Sequence, residues 1–379
     1  MRCPAYVFIL KIMRIVSVFN HIYLVNKLGR GPGLNFRRKI GLGAIYMGTL
    51  IGAGFASGQE IISFFTVYGK HGLLGIGFAS ILFFVLGYLI LKQSIQIRSQ
   101  CLRDILLPIA GERLTLLFDT TMDVFCLAGY SIMLSGCGAV LEESFNFEYM
   151  YTIVVLCTIF VWTLSKEFTG LEELNKLLVA VILFLTILIG LTCIKDYVKS
   201  PAINMEVDEK GWFRSSVLYV SYNTTLALAV LSALGSYTNE DSVALGAAAI
   251  GASGIFATGA LMWFITWANY PQLLGVQVPL LRVARRYGNF LFLSSVIVLL
   301  SAMMTTALGL GFSFAKSLSQ KFGINYRRAI FLLFLGVPLA KYSFAGLINK
   351  VYPLLGKLGI IFAILLATKQ VFKYLNRMI

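Results

Sequence analysis

The chain has 379 residues, 58% of them hydrophobic and 13% charged, with 32 Lys and Arg against 17 Asp and Glu and a formal net charge of +15. At a mean hydropathy of +0.82 it has too little polar surface to clothe a soluble globule. The basic residues lie in short loops and tails rather than along one face, which points to orientation in a bilayer and away from nucleic acid. Two histidines leave little for histidine catalysis or a multi-histidine metal centre, and the six cysteines lack metal-ligand spacing and read as free thiols.

The apolar runs suit α-helices crossing a core of about 30 Å, and no alternating β-barrel pattern interrupts them. The expected fold is therefore all-α and integral to the membrane. Residues 1–39 carry eight basic and no acidic residues. Their apolar stretch from Tyr6 to Val25 is broken by Lys11, Arg14 and His21, as expected of an interfacial or disordered basic segment. Ten spans follow, at 40–66, 72–98, 114–141, 149–165, 171–195, 213–237, 241–268, 288–318, 327–345 and 348–372. With both termini placed in the cytoplasm, Lys and Arg on that face outnumber those on the other about two to one. The expected home is a bacterial cytoplasmic membrane, with a tail at 373–379 inside.

A polar loop at 196–212 separates five spans (40–195) from five (213–372). Because five is odd, the second half enters from the opposite side, as in an inverted-topology repeat whose first helices break at mid-membrane. In the first span, Gly48, Gly52, Gly54 and Gly58 make a weak helix, since each interior glycine costs roughly 1 kcal/mol relative to alanine. Two readings stand. A break near Gly52 exposes the amides of Ala53 and Gly54 to a carboxylate and bare carbonyls to a cation; alternatively, the glycines let a neighbouring helix pack close. The sixth span has a polar interruption from Tyr219 through Ser221, Tyr222 and Asn223 to Thr225, without glycine or proline.

Ionisable residues inside spans are costly and so informative. Glu60 follows the glycines by one and a half turns and serves either a substrate amine or proton or the start of the second half-helix. Asp119 and Asp123 share a helix face. Asp123, ten residues past Arg113, lies about 15 Å deep and is the candidate for a substrate or proton contact. On the eighth span, Ala302, Thr305 and Thr306 gather uncharged oxygens on one face, suited to a weakly held cation or to bonding back onto their own helix.

Residues 48–60 and 302–306 together resemble a YkvI-like family of bacterial membrane proteins, grouped with the amino acid–polyamine–organocation superfamily and its LeuT-type fold. The resemblance implies ten helices in a 5+5 inverted repeat with helices 1 and 6 discontinuous. It implies sodium held by Gly48, Ile51, Ala302, Thr305 and Thr306, and substrate near Ala53, Gly54, Phe55, Ser57, Gly58, Glu60, Asp123, Tyr219, Ser221, Tyr222 and Asn223. Phe55 stands where a second sodium site needs asparagine, and 177–194 lacks the lysine that replaces sodium in some proton-coupled relatives. The expected function is sodium-coupled symport of a small organic solute such as an amino acid or amine, with no cofactor beyond the ion. A nutrient receptor of the same fold and a proton-coupled permease are the alternatives. No nucleophile set or phosphate loop points to an enzyme.

Overall fold

The computed structural model describes residues 33–197, 211–238, 240–270, 272–274, 276 and 278–340. The tenth expected span, the tail and most of the N-terminal segment and inter-repeat loop lie outside the described residues. Among the described residues there is no strand.

The chain opens with α1 (Gly33–Leu50), α2 (Ala53–Ser57) and α3 (Gln59–Phe64), followed by α4 (His71–Ile97) and α5 (Leu102–Phe145). Next come α6 (Tyr149–Leu164), α7 (Glu167–Tyr197), α8 (Trp212–Ser232), α9 (Asp241–Ala268), α10 (Pro279–Arg285) and α11 (Asn289–Phe322). Two short helices, α12 (Tyr326–Ala329) and α13 (Gly336–Leu339), close the described part. Helix α1 starts seven residues before residue 40, taking in Arg37, Arg38 and Lys39. Helix α5 is kinked at Gly111 (φ 71), three residues beyond Pro108.

Among the described residues, five helical segments are long and apolar enough to cross a bilayer: His71–Ile97, Ala110–Phe145, Glu167–Cys193, Asp241–Ala268 and Asn289–Phe322. The other expected spans differ for local reasons. The first is cut into three helices, α6 has only 16 residues, and the described part of the ninth, to residue 340, is a series of short helical pieces. Helix α8 runs unbroken through its polar stretch, contrary to the expected discontinuity. Without glycine or proline to open it, its polar side chains bond back onto the helix: Asn223 Nδ2 donates to Tyr219 O at 3.1 Å and Thr225 Oγ1 to Ser221 O at 3.1 Å.

Helix α1 lies at the centre, packed on α7, α8, α9 and α11. Its Leu42, Ile45, Tyr46, Met47, Leu50 and Ile51 are all buried. The Tyr46 hydroxyl donates to Phe83 O on α4 at 2.7 Å, and the ring rests on Gly87 of α4 and Gly251 of α9. Glycines on the neighbouring helices thus give α1 room to enter the core.

Candidate ion and substrate site at a helix break

The final turn of α1 closes with Ile51 N–H donating to Met47 O at 2.9 Å. Gly52 is then extended (φ −87, ψ −171), and α2 begins at Ala53. Carbonyls ending one helix and amides starting the next have no intrahelical partner. A second interruption follows at Gly58, whose φ of +87 is strained for any residue with a Cβ. Every residue of α2 from Ala53 to Ser57 is buried, so the irregular backbone faces protein, where a membrane protein tolerates it.

The bared carbonyls meet α11. Thr306 Oγ1 donates to Gly48 O at 2.9 Å and lies 3.3 Å from Ile51 O; Thr305 Oγ1 lies 3.1 Å from Gly48 O and 2.9 Å from Ala302 O. Thr305 does bond back to its own helix, yet both threonines also cross to α1. The oxygens of Gly48, Ile51, Ala302, Thr305 and Thr306 thus form one buried cluster. Around a hard cation bound at about 2.4 Å, neighbouring oxygens sit roughly 3.4 Å apart. At 2.9–3.3 Å the paired hydroxyl and carbonyl oxygens stand slightly closer together than that. The residues present fit a monovalent hard cation.

Close packing falls at Gly48 and the helix break at Gly52. A methyl placed on Gly48 would lie 2.5 Å from Asn175 Oδ1 and 2.8 Å from Thr305 Cβ, so here glycine permits close packing. At Gly52 the nearest atom, Thr306 Oγ1, is 3.8 Å away, and the residue serves the break instead. Asn175 of α7 is absent from the sequence-derived site. Its signal is that it is the one amide in the apolar run 171–195.

Of the expected substrate residues, Glu60 turns back so that its carboxylate rests against Gly54, with the Tyr222 hydroxyl beside it. Tyr219 and Tyr222 stand edge to face, 5.6 Å apart, and Phe64 of α3 lies 5.4 and 5.9 Å from them. Ser57 Oγ donates to Gly54 O at 3.0 Å, and Phe55, Ser221 and Asn223 are buried. The break, a carboxylate and two tyrosines therefore come together, joining α2 and α3 to α8.

Asp123 is not among them. Lys321 Nζ on α11 pairs with Asp123 Oδ2 at 2.7 Å and Asp119 Oδ2 at 3.1 Å. Lys321 lies 15 residues beyond Thr306 on the same helix, about 22 Å along its axis. The carboxylate placed near the midplane from its distance to Arg113 instead locks α5 to the far end of α11. The physical reason is a cation from another helix, which counting along one helix does not reveal.

No protein-family model matches the chain. It is similar to two proteins of Bacillus subtilis strain 168. One, the uncharacterized membrane protein YkvI, is 24% identical over 328 residues, covering 85% of this chain and 93% of YkvI. The other, the uncharacterized protein YyaD, is 25% identical over 324 residues, covering 83% and 92%. Among solved structures, Mhp1, a nucleobase-cation-symport-1 family transporter, superposes with a TM-score of 0.63 at 18% identity over 84% of this chain and 74% of its own. MhsT in complex with L-phenylalanine gives 0.62 at 17% over 84% and 86%, and a Na+-coupled sialic acid symporter 0.61 at 11% over 88% and 80%. At these identities the likeness is one of fold. The chain is a multi-pass membrane protein whose described residues form a helical LeuT-type fold, and it is similar in sequence to YkvI as its first-helix glycines imply. The solved proteins that share this fold are transporters rather than enzymes.

Proposed function

We propose that the protein is a secondary active transporter that couples sodium to movement of a small organic amine or amino acid by alternating access. The observation that carries this reading is the cluster of five oxygens at the break of a buried helix, contributed by two helices distant in sequence. Gly48, Ile51, Ala302, Thr305 and Thr306 would hold the ion and so tie α1 to α11. A bound cation favours whichever conformation keeps those helices together, by the difference in its affinity for the two states. The substrate would lie beside the break: Glu60 supplies the counter-charge for an ammonium group, the amides of Ala53 and Gly54 orient a polar or anionic end, and Tyr219 and Tyr222 cover the apolar part. Gly52 and Gly58, on either side of α2, give this segment two hinges. Ten membrane helices in a 5+5 inverted arrangement, a bacterial cytoplasmic membrane and cytoplasmic termini belong to the same proposal.

Uptake of labelled amino acids and amines into proteoliposomes, with and without an inward sodium gradient, tests it. Accumulation that follows the gradient, lost in Thr306→Ala, is the expected result. Equal accumulation in both conditions would remove the ion role, and tight binding without flux would make the protein a receptor.

A further inference from the structure

Asn175 is fully buried on α7 and anchored by one bond, Nδ2 donating to Leu171 O at 2.9 Å. That bond engages Nδ2, and Oδ1 lies 2.5 Å from where a Cβ on Gly48 would sit, a point itself 2.8 Å from Thr305 Cβ, so the free oxygen stands beside two residues that contribute to the oxygen cluster. Oδ1 accepts no hydrogen bond among the described residues. A buried polar atom left this way costs about 1–3 kcal/mol, and the Cα–H of Gly48 that it faces is at best a weak donor. A leucine in this apolar run would avoid that cost.

We propose that Asn175 is a further oxygen ligand of the cation site, supplied by a third helix, and that its neutrality sets the site's selectivity for a monovalent ion. This rests on the reading of the Gly48–Thr306 cluster as a cation site. With Asn175 the set reaches six oxygens, a coordination number suited to a hard cation, and none of the six carries a charge. Divalent hard cations are ordinarily held by carboxylates, so an all-neutral shell discriminates against them. The neighbouring Lys176 takes no part: its ammonium is paired with Glu172 at 2.5 Å and is one-third exposed.

The test is thermal unfolding of the purified full-length protein titrated with sodium, potassium or calcium chloride, together with binding of labelled sodium. Asn175→Leu raises the half-saturating sodium concentration at least tenfold while leaving the unfolding temperature in potassium unchanged or higher, because the orphaned oxygen is gone. Asn175→Asp acquires a calcium-dependent stabilisation that the parent lacks, and it carries the test should the leucine variant not fold. If the parent responds to sodium and Thr306→Ala does not, but Asn175→Leu keeps the parent's half-saturation, the assignment of Asn175 is overturned and the cluster stands. The aspartate variant's indifference to calcium would likewise overturn the assignment. A parent protein indifferent to sodium would overturn both.

Discussion

Substituting alanine at Gly48 and at Gly52, four residues apart on what the sequence presents as one helix, has opposite expected results. At Gly48 the new methyl meets Asn175 Oδ1 at 2.5 Å and Thr305 Cβ at 2.8 Å, both too close, so α1 must move away from α7 and α11. Overpacking of this kind costs about 1–3 kcal/mol. The same movement pulls Gly48 O from the Thr305 and Thr306 hydroxyls, now at 3.1 and 2.9 Å, and losing one such bond adds about 1 kcal/mol. The sum is about 2–4 kcal/mol. With an unfolding entropy of about 2.1 cal/mol/K per residue, 379 residues convert that to a fall of roughly 3–5 °C in unfolding temperature. At Gly52 the backbone is extended, with φ −87, and no atom outside its own segment approaches within 3.8 Å of a new Cβ. Gly52→Ala should therefore be neutral, or stabilise by up to about 1 kcal/mol through the unfolded chain. Differential scanning fluorimetry of both variants in one detergent reads the contrast. Equal destabilisation would mean that both glycines serve helix packing and that the chain is not opened at Gly52, which refutes the reasoning.

Lys321→Ala strands Asp119 and Asp123, whose side chains are 2% and 12% exposed, without their cation; breaking such a buried pair should cost about 3–5 kcal/mol in thermal unfolding, and a loss below 1 kcal/mol would show the carboxylates to be solvated. The further change of Asp119 and Asp123 to asparagine in that background should recover most of the loss. Gly58→Ala, at φ +87, should destabilise by about 1–2 kcal/mol, and an unchanged unfolding temperature would place Gly58 outside the left-handed region. Glu60→Gln should weaken binding of an amine at least tenfold, measured by calorimetry with whichever amine stabilises the parent; unchanged affinity would remove Glu60 from the site.

The end points of two long apolar helices were legible to within a residue and those of the other three to within four, because hydropathy and flanking charge are local properties. The expected span 241–268 and the helix Asp241–Ala268 coincide, and 72–98 differs from His71–Ile97 by one residue at each end. Glycine density likewise marked where α1 opens. The polar stretch of α8 misled, because hydroxyls and amides that weaken a helix in isolation bond back to its carbonyls once buried. Asp123 misled for a different reason: depth along one helix carries no information about which cation a neighbouring helix brings.

From the amino-acid sequence alone came the solvent, since a chain this apolar belongs in a bilayer, and the candidate groups of the site, since glycines at 48 and 52 and hydroxyls at 305 and 306 are properties of single segments. Only the tertiary structure decided that these segments, more than 250 residues apart, share one cluster, that the Asn175 side-chain oxygen lies beside Gly48, and that Asp119 and Asp123 are consumed by Lys321. Contacts between helices depend on how side-chain volumes interlock across the whole bundle, and no periodicity within one helix encodes that.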